Sequence, residues 1–222
     1  MTGLREQYLA AVGIPLWVDR NVPDAEPASV PDGVAGLGWD ELESRVRSCT
    51  LCGLHAGRRQ TVFGVGNRDA DLLVIGEAPG AEEDRLGEPF VGRAGQLLNA
   101  MLRAIGLERE QIYIANILKC RPPNNRDPKP EEAAACTPYL DRQIELIKPR
   151  AILALGRIAG QWLLQSDQPV GRLRGRIINY SSGATPLVVS YHPAYLLRSP
   201  AAKAKSWQDL CLVKSLLVSE KQ

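Results

Sequence analysis

Long apolar runs and an excess of charge of one sign are both absent from this sequence of 222 residues. No run approaches the ~18 consecutive apolar residues that a transmembrane helix needs. Residues 1–6 also lack the basic start and apolar core of a secretory signal. We therefore expect a cytoplasmic protein with no membrane segment. The 27 basic and 25 acidic side chains leave a net charge of +2, which neither requires nor excludes a nucleic-acid partner.

Disulfide bonds are not expected either, because the five cysteines of a cytoplasmic chain stay reduced. Cys49 and Cys52 form a C-x-x-C pair that follows a polar helical segment and not a strand, which argues against a thioredoxin-type redox pair. Together with Cys120 and Cys136 they could supply four thiolates to tetrahedral zinc or to a four-iron cluster. Cys211 keeps helical spacing with its apolar neighbours, so we expect it to be a buried core thiol.

Four short apolar runs predict the strands of one buried sheet. Helix-compatible segments separate them, and this alternation is typical of an α/β domain whose parallel sheet is covered by helices on both faces. We therefore predict a three-layer α/β/α fold with a central, mostly parallel, four-stranded sheet. The predicted strands are residues 72–75, 112–115, 151–155 and 187–190, and the helical segments are 94–105, 130–147 and 158–164.

Two regions are expected along the chain. Residues 1–38 combine a short amphipathic segment with a linker rich in Pro, Ala and Gly, and residues 39–222 form the compact domain. The N-terminal region could dock on the compact domain or on a protein partner, and the sequence does not decide between them. We expect the protein to be a monomer.

Chemically informative side chains follow three of the predicted strands. Glu77 follows the first, in a glycine-rich turn that is neither a Walker loop nor a dinucleotide fingerprint. Asn116 follows the second and His192 the fourth. Because ligand sites in such sheets form at the carboxyl edge of the strands, we expect an acid, an amide and an imidazole to meet there. An asparagine amide offers both a donor and an acceptor, which is what reading one edge of a nucleobase requires.

Each of these residues also has a plain structural interpretation. An asparagine after a strand is more often a cap or turn residue, and a lone histidine is more often a satisfied surface or core group. Phe90 could pack in the core or serve as a stacking platform. Single arginines are as often plain surface charges as ligands of phosphate. The joint order of these residues therefore carries the prediction of a site.

Taken together, the motifs resemble those of the fourth family of uracil-DNA glycosylases, the iron–sulfur type. The resemblance spans residues 40 to 215 in the order of the family, and the cysteine pattern fits as well. Residues before Trp39 have no counterpart in it. The matching segments are 76–80, 88–95, Asn116, 119–123 and 192–198.

The resemblance implies an enzyme of DNA base excision repair. Such a monofunctional glycosylase flips uracil out of DNA, hydrolyses its N-glycosidic bond and leaves an abasic site. The resemblance also implies that Cys49, Cys52, Cys120 and Cys136 hold a [4Fe–4S] cluster with a structural role, whereas the residues alone leave zinc open. His55 is a further candidate ligand, although four cysteines already complete the set.

The resemblance also implies a role for each matching residue. Glu77 would orient the attacking water and stabilise the cationic sugar, and His192 would donate to the uracil oxygen on which negative charge grows. The other residues would bind the base or the DNA. Phe90 would stack on uracil, Asn116 would read its polar edge, the Ala78 amide would help to hold it and Glu83 would exclude thymine; Leu196 would fill the gap in the base stack, and Arg172, Arg174 and Arg198 would hold phosphates.

Alternatives to turnover stay open. A protein that crosslinks to uracil-DNA would use a histidine on an inserted loop, and residues 121–128 contain no histidine and no such insertion, which favours turnover. A non-catalytic iron–sulfur DNA-binding protein is the second alternative, and the activity of a Glu77 or His192 variant would distinguish it. An electron-transfer protein is less favoured, because one cluster would not need this pocket. Lys119 is expected to be structural or to face DNA.

Overall fold

The computed structural model describes residues 33–180 and 185–218, which fold around a six-stranded mixed sheet. The strands are β1 (Val65–Gly66), β2 (Leu72–Gly76), β3 (Tyr113–Asn116), β4 (Ala151–Leu155), β5 (Ile177–Tyr180) and β6 (Thr185–Ser190). The strand order is β1-β3-β2-β4-β6-β5. The four central strands are parallel, and β1 and β5 pair antiparallel at the two edges.

Helices connect the strands and cover the sheet. They are α1 (Trp39–Arg47), α2 (Ala81–Leu86), α3 (Arg93–Ala104), α4 (Pro130–Ile147), α5 (Arg157–Leu163), α6 (Val170–Leu173), α7 (Pro193–Arg198) and α8 (Lys203–Val218). Short 3₁₀ turns occupy Gly53–Ala56, Arg109–Gln111, Pro123–Asn125 and Pro200–Ala202. Among the described helices, none is long and apolar enough to cross a membrane.

The predicted three-layer α/β fold is confirmed. The four predicted strands form the parallel centre of the sheet, because their apolar residues are buried on both faces. Residues of β2 alternate between two cores: Leu73 and Ile75 pack with α1, α4 and α5, whereas Leu72 and Val74 pack with α3, α7 and α8. The two edge strands were not predicted. β1 has two residues, and β5 is exposed or half-buried along its length, so neither carries a continuous buried run.

The position of Cys211 contradicts the prediction that it is a buried core thiol. Cys211 is exposed on α8, whose inward face is formed by Ser206, Asp209, Leu210 and Val213. The spacing of the apolar residues gave the wrong inward face for α8, because a charged residue occupies an inward position. Asp209 is fully buried and ion-paired, so the helix is rotated away from the orientation that its apolar residues alone would favour.

The predicted N-terminal segment lies almost wholly outside the described residues, which begin at Gly33. The last part of the predicted linker packs against the body of the fold. Val34 is buried in the first core, and the carbonyl of Leu37 accepts a hydrogen bond from Nε of Arg142 at 2.8 Å. The boundary predicted at residue 38 therefore does not separate residues 33–37 from the compact domain.

Candidate active site

The carboxyl ends of the parallel strands bring the predicted polar residues to one edge of the sheet. Gly76, the last residue of β2, pairs in register with Asn116, the last residue of β3. On the other side of β2, the amide of Gly156 donates to the last carbonyl of β6 at 2.9 Å. Glu77 and His192 follow these strand ends within two residues. An acid, an amide and an imidazole thus lie at the same edge.

Two glycines make room for the side chains at this edge. A Cβ on Gly76 would lie 2.4 Å from Oδ1 of Asn116 and 2.7 Å from the ring of Phe90. A Cβ on Gly156 would lie 3.0 Å from Cβ of His192, and the φ of 95° at Gly156 strains any other residue. A larger residue at position 76 would therefore push the amide and the aromatic ring apart.

Asn116 presents a buried acceptor that no described residue satisfies. Its side chain is 2% exposed, and Oδ1 has no hydrogen-bond partner in the described part of the chain. A buried acceptor left unpaired costs about 1–3 kcal/mol. The backbone carbonyl of Asn116, by contrast, accepts from Nζ of Lys119 at 2.9 Å, and this ammonium also donates to Oε1 of Gln143 at 2.6 Å. The strand end is held in place, while the amide oxygen has no partner among the described residues.

Phe90 faces the imidazole of His192 across the site. Their ring centroids are 5.5 Å apart and the ring planes make an angle of 30°. Phe90 is 7% exposed, and its backbone has a φ of 55°, in the left-handed region. Such a conformation costs a non-glycine residue about 1–3 kcal/mol. The aromatic ring is therefore brought to the site at the expense of local backbone strain.

The protonation state of His192 follows from its contacts. His192 caps the N-terminus of α7, and its Nδ1 accepts a hydrogen bond from the Ala194 amide at 3.1 Å. The neutral ring then carries its proton on Nε2. Burial, together with the positive charge of Arg198, lowers the pKa of His192 to about 4, against a smaller opposing effect of Glu83. The imidazole is neutral at pH 7 and can donate one hydrogen bond from Nε2.

Glu77 behaves differently from a surface carboxyl. Burial, together with the negative charge of Asp127, raises the pKa of Glu77 to about 7, and Arg157 opposes this effect. Arg157 and Asp127 form an ion pair with each other. The Glu77 carboxyl is thus poised between its neutral and charged forms near neutral pH, as is common for groups that act in catalysis.

A second site lies on the side of the sheet that faces α4. One small pocket there is lined by four thiols, by apolar side chains and by His55, Arg58 and Lys119. Arg58 donates to Sγ of Cys120 at 3.1 Å, and the backbone amide of Lys119 donates to Sγ of Cys136 at 3.2 Å. Burial raises the pKa of Cys136 to about 12. The four thiols are those predicted to act together, Cys49, Cys52, Cys120 and Cys136.

Comparison with known proteins decides the family. A family model described as the uracil DNA glycosylase superfamily matches residues 63–211, about two thirds of the chain. The chain belongs to this superfamily. Its type-4 family is shown by relatives named type-4 uracil-DNA glycosylase. The protein from Archaeoglobus fulgidus is 43% identical over 176 residues, covering 77% of this chain and 88% of the relative. The protein from Thermotoga maritima is 43% identical over 182 residues, covering 81% and 94%.

A more distant branch of the superfamily is also similar to this chain. A type-5 uracil-DNA glycosylase from Pyrobaculum aerophilum is 28% identical over 193 residues, covering 72% of this chain and 84% of the relative. The higher identity to the type-4 proteins confirms the family that the motifs predicted.

The structure of this type-4 family member places Glu83 beneath the loop that carries Phe90. The Glu83 carboxylate accepts hydrogen bonds from the amides of Val91 and Gly92 at 3.0 and 3.2 Å. Glu83 therefore borders the site through the loop, which the sequence did not predict. Ala78, whose amide was predicted to hold the base, is half-buried against the first core.

Leu196, predicted to fill the gap in the base stack, is buried in this structure. It is 1% exposed and packs in the second core, so it would have to leave this packing to enter a base stack. The exposed apolar residues of α7 are Tyr195, whose ring stacks on Tyr191, and Leu197, which is 38% exposed. Helical periodicity explains the difference, because position 196 lies on the inward face of α7 and position 197 does not.

Arg174 is also placed differently from the prediction. Its guanidinium donates to both carboxylate oxygens of the buried Asp209, at 3.0 and 2.8 Å, and its side chain is 12% exposed. Arg174 thus neutralises a buried charge of α8, and the structure shows this pairing and not a free phosphate ligand. Arg172 and Arg198 are exposed, as DNA contacts require. Lys119 is fully buried, which fits a structural role and not contact with DNA, the two roles predicted for it.

One residue near the site was missed by sequence reasoning. Arg109 lies outside every matching motif, yet its guanidinium donates to the backbone carbonyls of Pro89 and Phe90. No local pattern indicates this contact, because it joins positions about 20 residues apart in the sequence.

Proposed function

We propose that this chain excises uracil from DNA as a monofunctional glycosylase, releasing free uracil and leaving an abasic site. The observation that carries the proposal is the buried, unpaired Oδ1 of Asn116 beside the ring of Phe90. Membership of the type-4 family supports the same activity. Uracil-containing DNA is then the partner, and the exposed Arg172 and Arg198 are placed to contact its phosphates.

Recognition of the base follows from the Asn116 amide. In the flipped-out nucleotide, Phe90 stacks on one face of the uracil ring. Oδ1 of Asn116 accepts from the N3–H of uracil, and Nδ2 donates to its O4. Cytosine has a lone pair at N3 and an amino group at position 4, so both contacts become repulsive. Of the two bases, only uracil offers an N–H to the Oδ1 that no described residue pairs.

Departure of the base is assisted by His192. Breaking the N-glycosidic bond leaves negative charge on the base and positive charge on the sugar. The Nε2–H of the neutral imidazole donates to the uracil oxygen on which the negative charge grows. Because the imidazole is neutral before the reaction, the hydrogen bond strengthens as the charge develops. The ground state gains less from it, which is the condition for catalysis.

Glu77 completes the reaction as a carboxylate. The ionised group stabilises the cationic sugar and orients the water that attacks it. Its half-buried position strengthens the effect of the charge, since solvent screens such a charge less than an exposed one. The neutral form of Glu77 lacks this charge, so the active fraction of the enzyme depends on pH.

The test is excision from an oligonucleotide with a single uracil, followed by alkaline cleavage at abasic sites, with thymine and cytosine oligonucleotides as controls. We expect multiple turnovers on uracil alone. Since the pKa of Glu77 is about 7 and its ionised form is active, the rate should fall as the pH drops below 7, approaching about tenfold per pH unit. Glu77→Gln should be slower and should lose this dependence. Tight binding of uracil-DNA without release of uracil would instead favour a crosslinking or non-catalytic protein.

We also propose that the four cysteines hold a [4Fe–4S] cluster. Four cysteines are the usual ligand set of such a cluster, and these four thiols line one small pocket. N–H donors aimed at the sulfurs of Cys120 and Cys136 suit ligands of this kind.

The role of the cluster in this proposal is structural. It would tie the segment after α1, which carries Cys49 and Cys52, to the loop after β3 and to α4. The same loop directly follows Asn116 and contains Lys119, so the cluster would support the strand end that carries Asn116. When bound, the group supplies covalent cross-links between segments, and the hydrolysis itself is carried out by the protein side chains.

Replacing Cys136 by serine is expected to remove the cluster. The iron content should fall from about four per chain to less than one. The melting temperature should fall with it, because cofactor binding energy is folding energy in a site of this kind. Iron analysis and visible absorbance measure the first effect, and thermal denaturation the second. Cys211→Ser is the matched control, since this exposed thiol lies away from the pocket. Full iron content in Cys136→Ser would contradict the assignment.

A further inference from the structure

The backbone around Phe90 is held by side chains that do not belong to its loop. Phe90 has a φ of 55°, which non-glycine residues keep only where the surroundings impose it. The first turn of α3 packs closely against this backbone, because a Cβ on Gly95 would lie 1.8 Å from the carbonyl oxygen of Phe90. Two further side chains determine the directions of the peptide groups on either side of Phe90.

Arg109 holds the carbonyl side of the loop. Its guanidinium donates to the carbonyl of Pro89 at 2.5 Å and to the carbonyl of Phe90 at 3.3 Å, and also to Oδ1 of Asn99 on α3 at 3.3 Å. The direction of the first carbonyl is coupled to φ of Phe90 and that of the second to its ψ. One planar, rigid group therefore fixes both backbone angles of Phe90, which a lysine ammonium could not do in the same way.

Glu83 holds the amide side of the same loop. Its Oε1 accepts from the amides of Val91 and Gly92. The peptide group between Phe90 and Val91 therefore has both of its polar groups hydrogen-bonded: its carbonyl accepts from Arg109 and its N–H donates to Glu83. A cation on the carbonyls and an anion on the amides oppose each other across the loop, and both contacts favour the same orientation.

We propose that Arg109 is a positioning residue for uracil excision: its guanidinium, opposed by Glu83, holds Phe90 in the left-handed conformation that places the aromatic ring at the base pocket. The inference rests on the proposed function, because it gives the Phe90 ring the task of stacking on uracil. Arg109 acts through the backbone of Phe90 and not through contact with the base. Its effect on excision should therefore depend on the presence of the Phe90 ring.

A double-mutant cycle tests this dependence. Arg109→Met, Phe90→Ala and the double variant are compared with the wild type in single-turnover excision from a uracil oligonucleotide. Arg109→Met should slow excision by about 10–100-fold, the loss that follows from a small misplacement of a binding group. In the Phe90→Ala background the same substitution should change the rate by less than about twofold. Equal losses in both backgrounds would show that Arg109 acts elsewhere, and would overturn the proposal.

Two further variants separate positioning from general stability. Arg150→Met is the matched control, because Arg150 donates to the carbonyls of Leu216 and Leu217, at the far end of α8. It should keep the wild-type rate at temperatures where it is folded. Arg109→Lys keeps the charge without the planar fork and should lie between Arg109→Met and the wild type; it also serves if Arg109→Met does not fold.

The same excision assays distinguish failure of the proposed function from failure of the positioning role of Arg109. A wild-type protein that releases no uracil would overturn the proposed function and this inference with it. A wild-type protein that excises uracil, with Arg109→Met and Arg109→Lys both within twofold of it, would leave the function intact and overturn the positioning role alone.

Discussion

Replacing His192 by alanine is expected to slow uracil excision by about 10²–10³-fold, the usual consequence of removing one well-aimed donor to a developing anion. This proposed role of His192 depends on which ring nitrogen carries the proton. Its Nδ1 is engaged by the Ala194 amide, so the proton of the neutral ring is on Nε2. Burial and the charge of Arg198 lower the pKa to about 4, which keeps the ring neutral near pH 7. Alanine removes the donor without adding a group that could replace it.

Single-turnover excision measures this loss, with His55→Ala as the control. His55 is the other histidine of the chain, is exposed, and has its Nδ1 2.7 Å from the carbonyl of Cys52. We expect the control to keep the wild-type rate and its iron. The ratio of wild-type to His192→Ala rates should also stay constant between about pH 8 and pH 5, above the lowered pKa. A ratio that grows as the pH falls through about 6.5 would mean that a protonated ring is active, and would contradict the neutral donor.

The parts of the fold that the sequence predicted are those whose burial is uniform. The four central strands are apolar on both faces, so each reads as a continuous run, and the helices between them follow from the need to cross back over a parallel sheet. The edge strands lack this signal. Ile177–Tyr180 is paired on one side only and exposes Ile177, so its pattern does not differ from that of a loop.

The site was predictable where topology alone determines position. Glu77, Asn116 and His192 follow parallel strands, and the carboxyl ends of such strands meet at one edge whatever the details of packing. Contacts between distant segments were not predictable in this way. The pairing of Arg174 with Asp209 and the grip of Arg109 on the Phe90 loop depend on the angle at which helices and loops pack. The same holds for which residue of α7 turns inward.

Exchanging Asn116 for aspartate is expected to weaken the preference for uracil over cytosine by about 10⁴-fold, since sites built around specific hydrogen bonds reject the wrong partner by 10⁴–10⁵-fold. Aspartate has nearly the same shape but carries an oxygen in place of the donor Nδ2. That oxygen would face O4 of uracil and repel it, whereas the amino group of cytosine would find an acceptor. The change should therefore lower excision of uracil and raise excision of cytosine.

The rigidity of the strand end makes this expectation sharp. An amide that discriminates between bases must stay at a fixed position relative to the base, which a fixed backbone helps to ensure. Lys119 supplies this fixation through the carbonyl of Asn116, and Gln143, whose Nε2 donates to the carbonyl of Phe63 at 3.0 Å, holds Lys119 in turn. Asn116, Lys119 and Gln143 are polar residues that are nearly completely buried. Among their buried side-chain polar atoms, Oδ1 of Asn116 is the one without a hydrogen-bond partner in the described part of the chain.

Excision rates on oligonucleotides that differ only in uracil or cytosine measure the ratio directly. Asn67→Asp is the matched control, because the same atoms change at an exposed turn where Oδ1 accepts from the Asp69 amide and an aspartate can do the same. The control should leave both rates unchanged. If Asn116→Asp slowed excision of both bases equally, the ratio would be preserved, and Asn116 would be shown to support the pocket without reading the base. A fall in the ratio driven by opposite changes in the two rates is the result that only a base-reading amide explains.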